Sequence, residues 1–278
     1  MFRWLFSFTL WLATCQANQQ NYNVYHYDRT VPQFTPDGRL LQVEYASAAA
    51  DHSSPVVAMK IDTDLVLLCT TRTQHSHQER LVLITPQASA TSTTDQAPTH
   101  ATATVVALSG VLADSLSLLS SVQEERWQTQ RQLGPHPFGP PQVARKVADT
   151  CQQHAFGGGI RPFGAILLVC GPQSGSLVLY QTNPSGAILD WSELPDGFVV
   201  VGGVGGSRSL RQRLAAYDPN ENTAGKIRDI LSLVVEEQQR ISPESQLILE
   251  AVLVSGEKGI LKLTHEQIES LIAKRQNT

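Results

Sequence analysis

Apolar residues come in short runs of two kinds along this chain, and the period within each run says which element it can form. From Leu40 the positions Leu41, Tyr45 and Ala48 fall at i, i+4 and i+7 beside a second row of Leu40, Val43 and Ser47, while Gln42 and Glu44 face away. That pattern predicts an amphipathic helix running out over residues 51–55. Its start is marked by Thr35-Pro36-Asp37-Gly38. Pro36 fixes φ and holds Thr35 extended, Asp37 can accept a hydrogen bond from the first free amides, and Gly38 permits a tight turn.

Residues 55–61 and 65–69 read as strands joined by the turn Asp62-Thr63-Asp64, with further strands over 80–85 and 105–108. Helical spacing of Val111, Leu112, Leu116, Leu119 and Val122 predicts a helix over 111–131, with Asp114 near its positive end and Arg126 and Arg131 toward the other. Pro135, Pro137, Pro140 and Pro141 forbid its continuation, and a second helix over 142–154 puts Val143, Val147 and Cys151 on one face, so that the two pack as a pair. Strands follow over 163–170 and 176–182, connected by 171–175, then a turn at Asn183-Pro184-Ser185-Gly186 and β structure over 187–191 and 198–201. Helices over 207–217 and 224–240, the latter with Ile227, Ile230, Leu231 and Val234 inward, precede strands over 247–254 and 260–262 and a helix over 266–274. Blocks of strands separated by paired helices argue for an α+β fold of stacked antiparallel sheets with helices outside, not alternating βαβ units.

Composition narrows the function classes. With 278 residues and 41% hydrophobic content, the chain can bury one large core, and no break in composition divides it. A formal charge of -4 gives no basic field for nucleic acid or an anionic membrane. Cys15, Cys69, Cys151 and Cys170 have neither paired nor metal-ligand spacing, and Cys69 and Cys170, each ending an apolar run, read as small buried hydrophobes. His75 and His77 lack a third ligand, so no metal site is expected. Residues 86–104 are rich in Ser, Thr and Ala, too poor in bulky side chains for a core element, and read as a surface loop. Residues 1–17 have the form of a secretory signal peptide, with Arg3, an apolar stretch over 4–13 and a small-residue exit giving cleavage between Ala17 and Asn18; a start codon further along is the alternative. The stretch is too short for a membrane anchor, and residues 18–26 read as a polar, mobile tail.

Residues 27–46 carry a resemblance. Tyr27-Asp28-Arg29, Phe34, Pro36, Gly38-Arg39-Leu40 and Gln42-Val43-Glu44-Tyr45-Ala46 closely resemble the amino-terminal signature of α-type subunits of the 20S proteasome, a threonine-type endopeptidase complex. Ser109-Gly110-Val111-Leu112-Ala113-Asp114, the segment Gly157-Gly158-Gly159-Ile160-Arg161-Pro162-Phe163-Gly164 and the turn at Asn183 to Gly186 are similar to further motifs of that family. The likeness covers about residues 22–274. It implies a four-layer αββα sandwich, the amino-terminal nucleophile hydrolase fold. It also implies a noncatalytic role: building the outer heptameric ring with other α subunits on β subunits, gating substrate access, and docking activators in ubiquitin-dependent protein catabolism. On that resemblance Tyr27, Asp28, Arg29, Pro36 and Tyr45 form an inter-subunit gate cluster, and Gln42 and Glu44 lie on a ring-contact helix. Arg80 is the nearest match to a lysine that receives activator tails, and arginine brings different reach and geometry.

Catalysis is not expected. An active family member needs a hydroxyl nucleophile at the mature terminus, whereas cleavage here would expose Asn18. Residues 202–206 are glycine-rich before a helix but lack the Lys-Ser/Thr ending of a P-loop, so a tight turn is expected and no cofactor. Three readings stay open: an α subunit of the cytoplasm and nucleus, a compartment-specific or stand-alone interaction protein derived from one and suggested by the leader, or an active amino-terminal nucleophile hydrolase.

Overall fold

The computed structural model describes residues 33–74, 76, 78–84, 103–134, 138–157, 161–194, 197–203, 207–217, 222–241, 243, 247–256 and 258–273. Among them the order is α1 (Leu41–Asp51), β1 (Val56–Asp62), β2 (Leu65–Thr73), β3 (Leu81–Ile84), β4 (Thr104–Gly110), α2 (Leu112–Leu133), α3 (Pro140–Phe156), β5 (Ala165–Gln173) and β6 (Ser176–Thr182). There follow β7 (Ile188–Asp190), β8 (Phe198–Val201), α4 (Ser207–Ala215), α5 (Thr223–Ile241), β9 (Leu247–Ser255), β10 (Gly259–Lys262) and α6 (His265–Ala273). The leader, the tail, Tyr27, Asp28, Arg29, His75, His77 and most of the 86–104 loop lie outside the described residues.

Two five-stranded sheets form, β10-β9-β2-β1-β8 and β3-β4-β5-β6-β7, with antiparallel neighbours throughout. Side-chain alternation divides their residues into three apolar layers. Val66 and Leu68 of β2 meet Val105 and Ala107 of β4 and Ile166 and Leu168 of β5 between the sheets. The opposite face of the first sheet, with Leu67 and Cys69, packs on Leu210 of α4 and Ile230 and Val234 of α5. Val106, Leu108, Leu167 and Val169 pack on α2 and α3 through Leu118, Val122, Val143 and Val147. Sheets buried on both faces explain why these strands read as unbroken apolar runs. The result is the αββα sandwich.

Several local expectations change. The helix α1 has Leu40 at its N-cap and no side-chain cap; Asp37 stays at the exposed apex of a turn closed by Gly38 N donating to Thr35 O at 2.8 Å, and Thr35 Oγ1 accepts from Arg39 N at 3.0 Å. Gly38 has φ +76°, as the tight turn requires. The buried residues of α1 are Leu41, Ala46 and Ala50, while Tyr45 and Ala48, placed inward by spacing, are exposed. Past Leu41, alanines face inward because this half of the helix lies close against Gly110 at the end of β4 and Gly164 just before β5. Val111, counted among the inward positions of the next helix, is the exposed N-cap of α2. Helix α3 starts at Pro140, not Gln142, since proline lacks only an N–H that the first turn leaves unused. Strand β5 continues through Gly171 and Pro172 to Gln173, so the connection to β6 shrinks to the two residues Ser174 and Gly175.

Candidate functional site

Three of the segments that carried motifs, helix α1, the β4–α2 junction at Ser109 to Asp114 and the stretch Arg161 to Gly164, converge at one end of the sandwich, while the turn ending at Gly186 packs on α3 at Ala148 and Gln152. Ala50 of α1 is fully buried in the layer between the sheets, so this helix closes that layer where β4 ends and β5 begins. The contact is between small residues. A Cβ added at Gly110 would lie 2.3 Å from Gly164 O and 3.1 Å from Ala50 Cα, and one added at Gly164 would lie 3.3 Å from Val111 Cγ2 and 3.4 Å from Ala49 Cβ. Ser53, just after α1, ties the junction together: its Oγ accepts from Gly110 N at 2.7 Å and shares a 2.9 Å hydrogen bond with Ser109 Oγ. Gly202, at the end of β8, closes over the same two hydroxyls, since its added Cβ would stand 2.3 Å from Ser109 Oγ. Its φ of +74° and the 2.6 Å bond from Ser207 N to Gly203 O make this a strand-to-helix turn.

Beside this junction Asp114 sits in the first turn of α2 with only 5% of its side chain exposed. Arg161 clamps it with two hydrogen bonds, Nη1 to Oδ2 and Nη2 to Oδ1, both 2.6 Å, and Gly164 N donates to Oδ2 at 2.8 Å. The guanidinium holds the carboxyl below its ordinary range; burial opposes this, and the Gly164 amide adds to it. Sequence reasoning gave Asp114 only a helix-end role and missed this pairing. The available signal was that two separate motifs each contributed one member of a bidentate ion pair.

A second polar cluster lies in the sandwich at the start of β3. Glu250 of β9, 7% exposed, approaches Arg72 Nε at 2.6 Å, a charge contact without the alignment of a hydrogen bond. Its Oε2 accepts from Arg80 N at 2.9 Å and from Leu81 N at 3.1 Å. Arg80 is half-buried and its Nη1 reaches Leu108 O at 3.4 Å; burial lowers its pKa, with the Glu250 charge opposing. Glu250 was also missed, although a lone carboxylate inside an apolar strand calls for a partner.

Of the other expected site residues, Pro36 is exposed, and Tyr45 is 49% exposed on the outer side of α1. Gln42 is half-buried. Glu44 binds back to Arg39, whose Nε donates to Oε1 at 2.9 Å; that bond lowers the Glu44 pKa and raises that of Arg39. Next to the end of α1 a cleft of about 780 Å³ opens between the sheets, lined by Asp51, Trp191, strand β8 and Arg211. Arg211 Nη2 donates to Val200 O at 2.6 Å and Trp191 Nε1 to Gln181 Oε1 at 3.0 Å, so both are held by the wall itself.

Two family sequence models match consecutively: the N-terminal signature of A-type proteasome subunits over residues 27–49 and the proteasome subunit model over 50–207. The chain belongs to the proteasome subunit family. The boundary between the two matches falls near the end of α1, so the signature includes most of the helix that closes the sandwich. Similar proteins are α-type members of that family. The proteasome alpha subunit of Methanobrevibacter smithii is 27% identical over 248 residues, covering 88% of this chain and 91% of that protein. The type-4 proteasome alpha subunit of Saccharomyces cerevisiae is 30% identical over 251 residues, 89% and 91% of the two chains. The proteasome alpha subunit of Methanosarcina acetivorans is 35% identical over a shorter stretch of 165 residues, 59% and 62%.

Proposed function

We propose that this chain is a noncatalytic α-type subunit of a 20S proteasome core. In this reading it joins other α subunits in the outer ring on top of β subunits, gates substrate access, docks activators, and so serves ubiquitin-dependent protein breakdown in the cytoplasm and nucleus. The observation that carries the reading is the placement of the signature helix. Helix α1 closes the layer between the sheets with Ala50, and leaves Tyr45 and Ala48 on its outer side, where neighbouring subunits would bind. A noncatalytic role is supported by the same packing, because Ser53, between α1 and β1, follows a helix and commits its Oγ to Gly110 N, Ser109 Oγ and Ala50 O.

The gate role is assigned to Tyr27, Asp28, Arg29, Pro36 and Tyr45, ring contact to Gln42 and Glu44, and activator-tail binding to Arg80. The leader over residues 1–17 favours a second reading, a compartment-specific relative that does not join an ordinary core. One experiment separates the two: purify the chain, tagged at its carboxyl terminus, from its own cells and identify its partners and mature amino terminus by mass spectrometry. Recovery with α and β subunits in a particle of core size supports the first reading. A chain starting at Asn18 without those partners overturns it and supports the second.

A further inference from the structure

We propose that Asp114 is a positioning residue that sets the orientation of helix α1, through the Gly164 peptide, for association with neighbouring subunits. The association half rests on the α-subunit reading above; the positioning half rests on geometry alone. Gly164 is gripped through both of its peptide groups: its N–H donates to Asp114 Oδ2 at 2.8 Å, and its carbonyl, in the following peptide, accepts from Val111 N at 2.9 Å. Helix α1 rests on the third side, where the direction of the missing Cβ points at Ala49 Cβ, 3.4 Å away, and at Ala46 O, 3.7 Å away. The position of this one residue therefore defines part of the surface on which α1 lies. In a close-packed contact a shift of a few tenths of an ångström passes directly to the neighbour.

Two features make this more than general stabilisation. The pair sits at the rim of the sandwich, with Arg161 67% exposed, while the apolar layer under α2 and α3 is made by other residues. Helix α1, in contrast, is weakly anchored. It buries only Leu41, Ala46 and Ala50 and has no side-chain N-cap, so its orientation depends on the seat beneath it. Loss of the carboxylate should be felt at α1 first and at α3 little. Arg161 serves Asp114 by holding both carboxylate oxygens, which leaves Oδ2 aimed at the Gly164 amide.

The test is amide hydrogen exchange on the full chain in wild-type form and as Asp114→Ala, Asp114→Asn and Arg161→Lys, with capture of subunits from cells by each tagged variant. Asp114→Ala should raise exchange across residues 43–50 about tenfold while residues 143–155 of α3 stay near wild type. Asp114→Asn, which keeps an oxygen for the Gly164 amide, should fall between, and Arg161→Lys should lie nearest wild type. Recovery of α and β subunits should decline in the same order. A rise of equal size in α1 and α3, or no change at α1 in Asp114→Ala, overturns the positioning role. If Asp114→Ala fails to fold, unchanged α1 exchange in Asp114→Asn overturns it equally. Should the wild-type chain capture no proteasome subunits, the association half falls together with the proposed function, and the order of exchange rates still decides the positioning half.

Discussion

Replacing Glu250 by alanine removes more than one bond, because a single carboxylate serves three groups. Oε1 faces Arg72 Nε at 2.6 Å, and Oε2 accepts from the amides of Arg80 and Leu81. With Glu250 7% exposed and Arg72 19% exposed, truncation strands a cation and two amides in a place that water reaches poorly. Breaking a buried pair from one side costs about 3–5 kcal/mol. Arg72 has one fallback, the bond it already donates to Ser76 O, so the lower part of that range is expected. Glu250→Gln keeps an oxygen for the two amides and loses only the charge, which should halve the cost to about 1.5 kcal/mol. Equilibrium unfolding in urea measures both. With m on the order of 3 kcal/mol/M, the alanine variant should unfold about 1 M earlier and the glutamine variant about half as much earlier. A double variant, Arg72→Met with Glu250→Leu, removes both charges yet leaves the Arg80 and Leu81 amides without an acceptor. It should stay destabilised. Recovery of wild-type stability in that variant, or equal midpoints for alanine and glutamine, would refute the view that Glu250 acts chiefly as an acceptor at the start of β3.

Other outcomes follow from the same geometry. Because Asp114 has its pKa lowered in the folded state, its contribution is fully present above the unfolded carboxyl value of about 4 and is lost as pH falls through the folded value. Asp114→Asn should therefore be less stable than wild type at pH 7 and approach it toward pH 3 in thermal melts; a gap that does not change with pH would contradict this. Gly110→Ala should cost about 2–5 kcal/mol, since φ is +101° and the new methyl meets backbone at 2.3 Å, and a melting curve matching wild type would count against the close junction. Burial pushes the thiols of Cys69, Cys151 and Cys170 up to about 12, so a Cys15→Ser chain should not react with Ellman's reagent at pH 8 until unfolded by urea. Fast labelling of the native chain would show that α3 or the sheets open readily.

How far the sequence could be read depended on whether the deciding interaction was local. Strand β6 and strand β8 have the bounds that their apolar runs suggest, and α5 buries the Ile227, Ile230, Leu231 and Val234 stripe expected from its period. The face of α1 was misread because spacing reports which residues are apolar, not how much room the partner leaves. Tyr45 is apolar enough to be placed inward, yet the contact with Gly110 and Gly164 admits only alanines. Asp114 and Arg161 are 47 positions apart, and Glu250 lies 170 positions from Arg80. No local pattern links such pairs.

By itself, the order of residues determined the elements, the two-sheet class, the buried cysteines and the family signature, since each depends on periodicity, turn chemistry or a contiguous motif. Only the tertiary structure decided that α1 closes the layer between the sheets, that Asp114 grips the Gly164 peptide through a bidentate arginine, and that Glu250 holds the start of β3. Those are contacts between segments far apart in the chain, and their energies exist only once folding has removed water from between them.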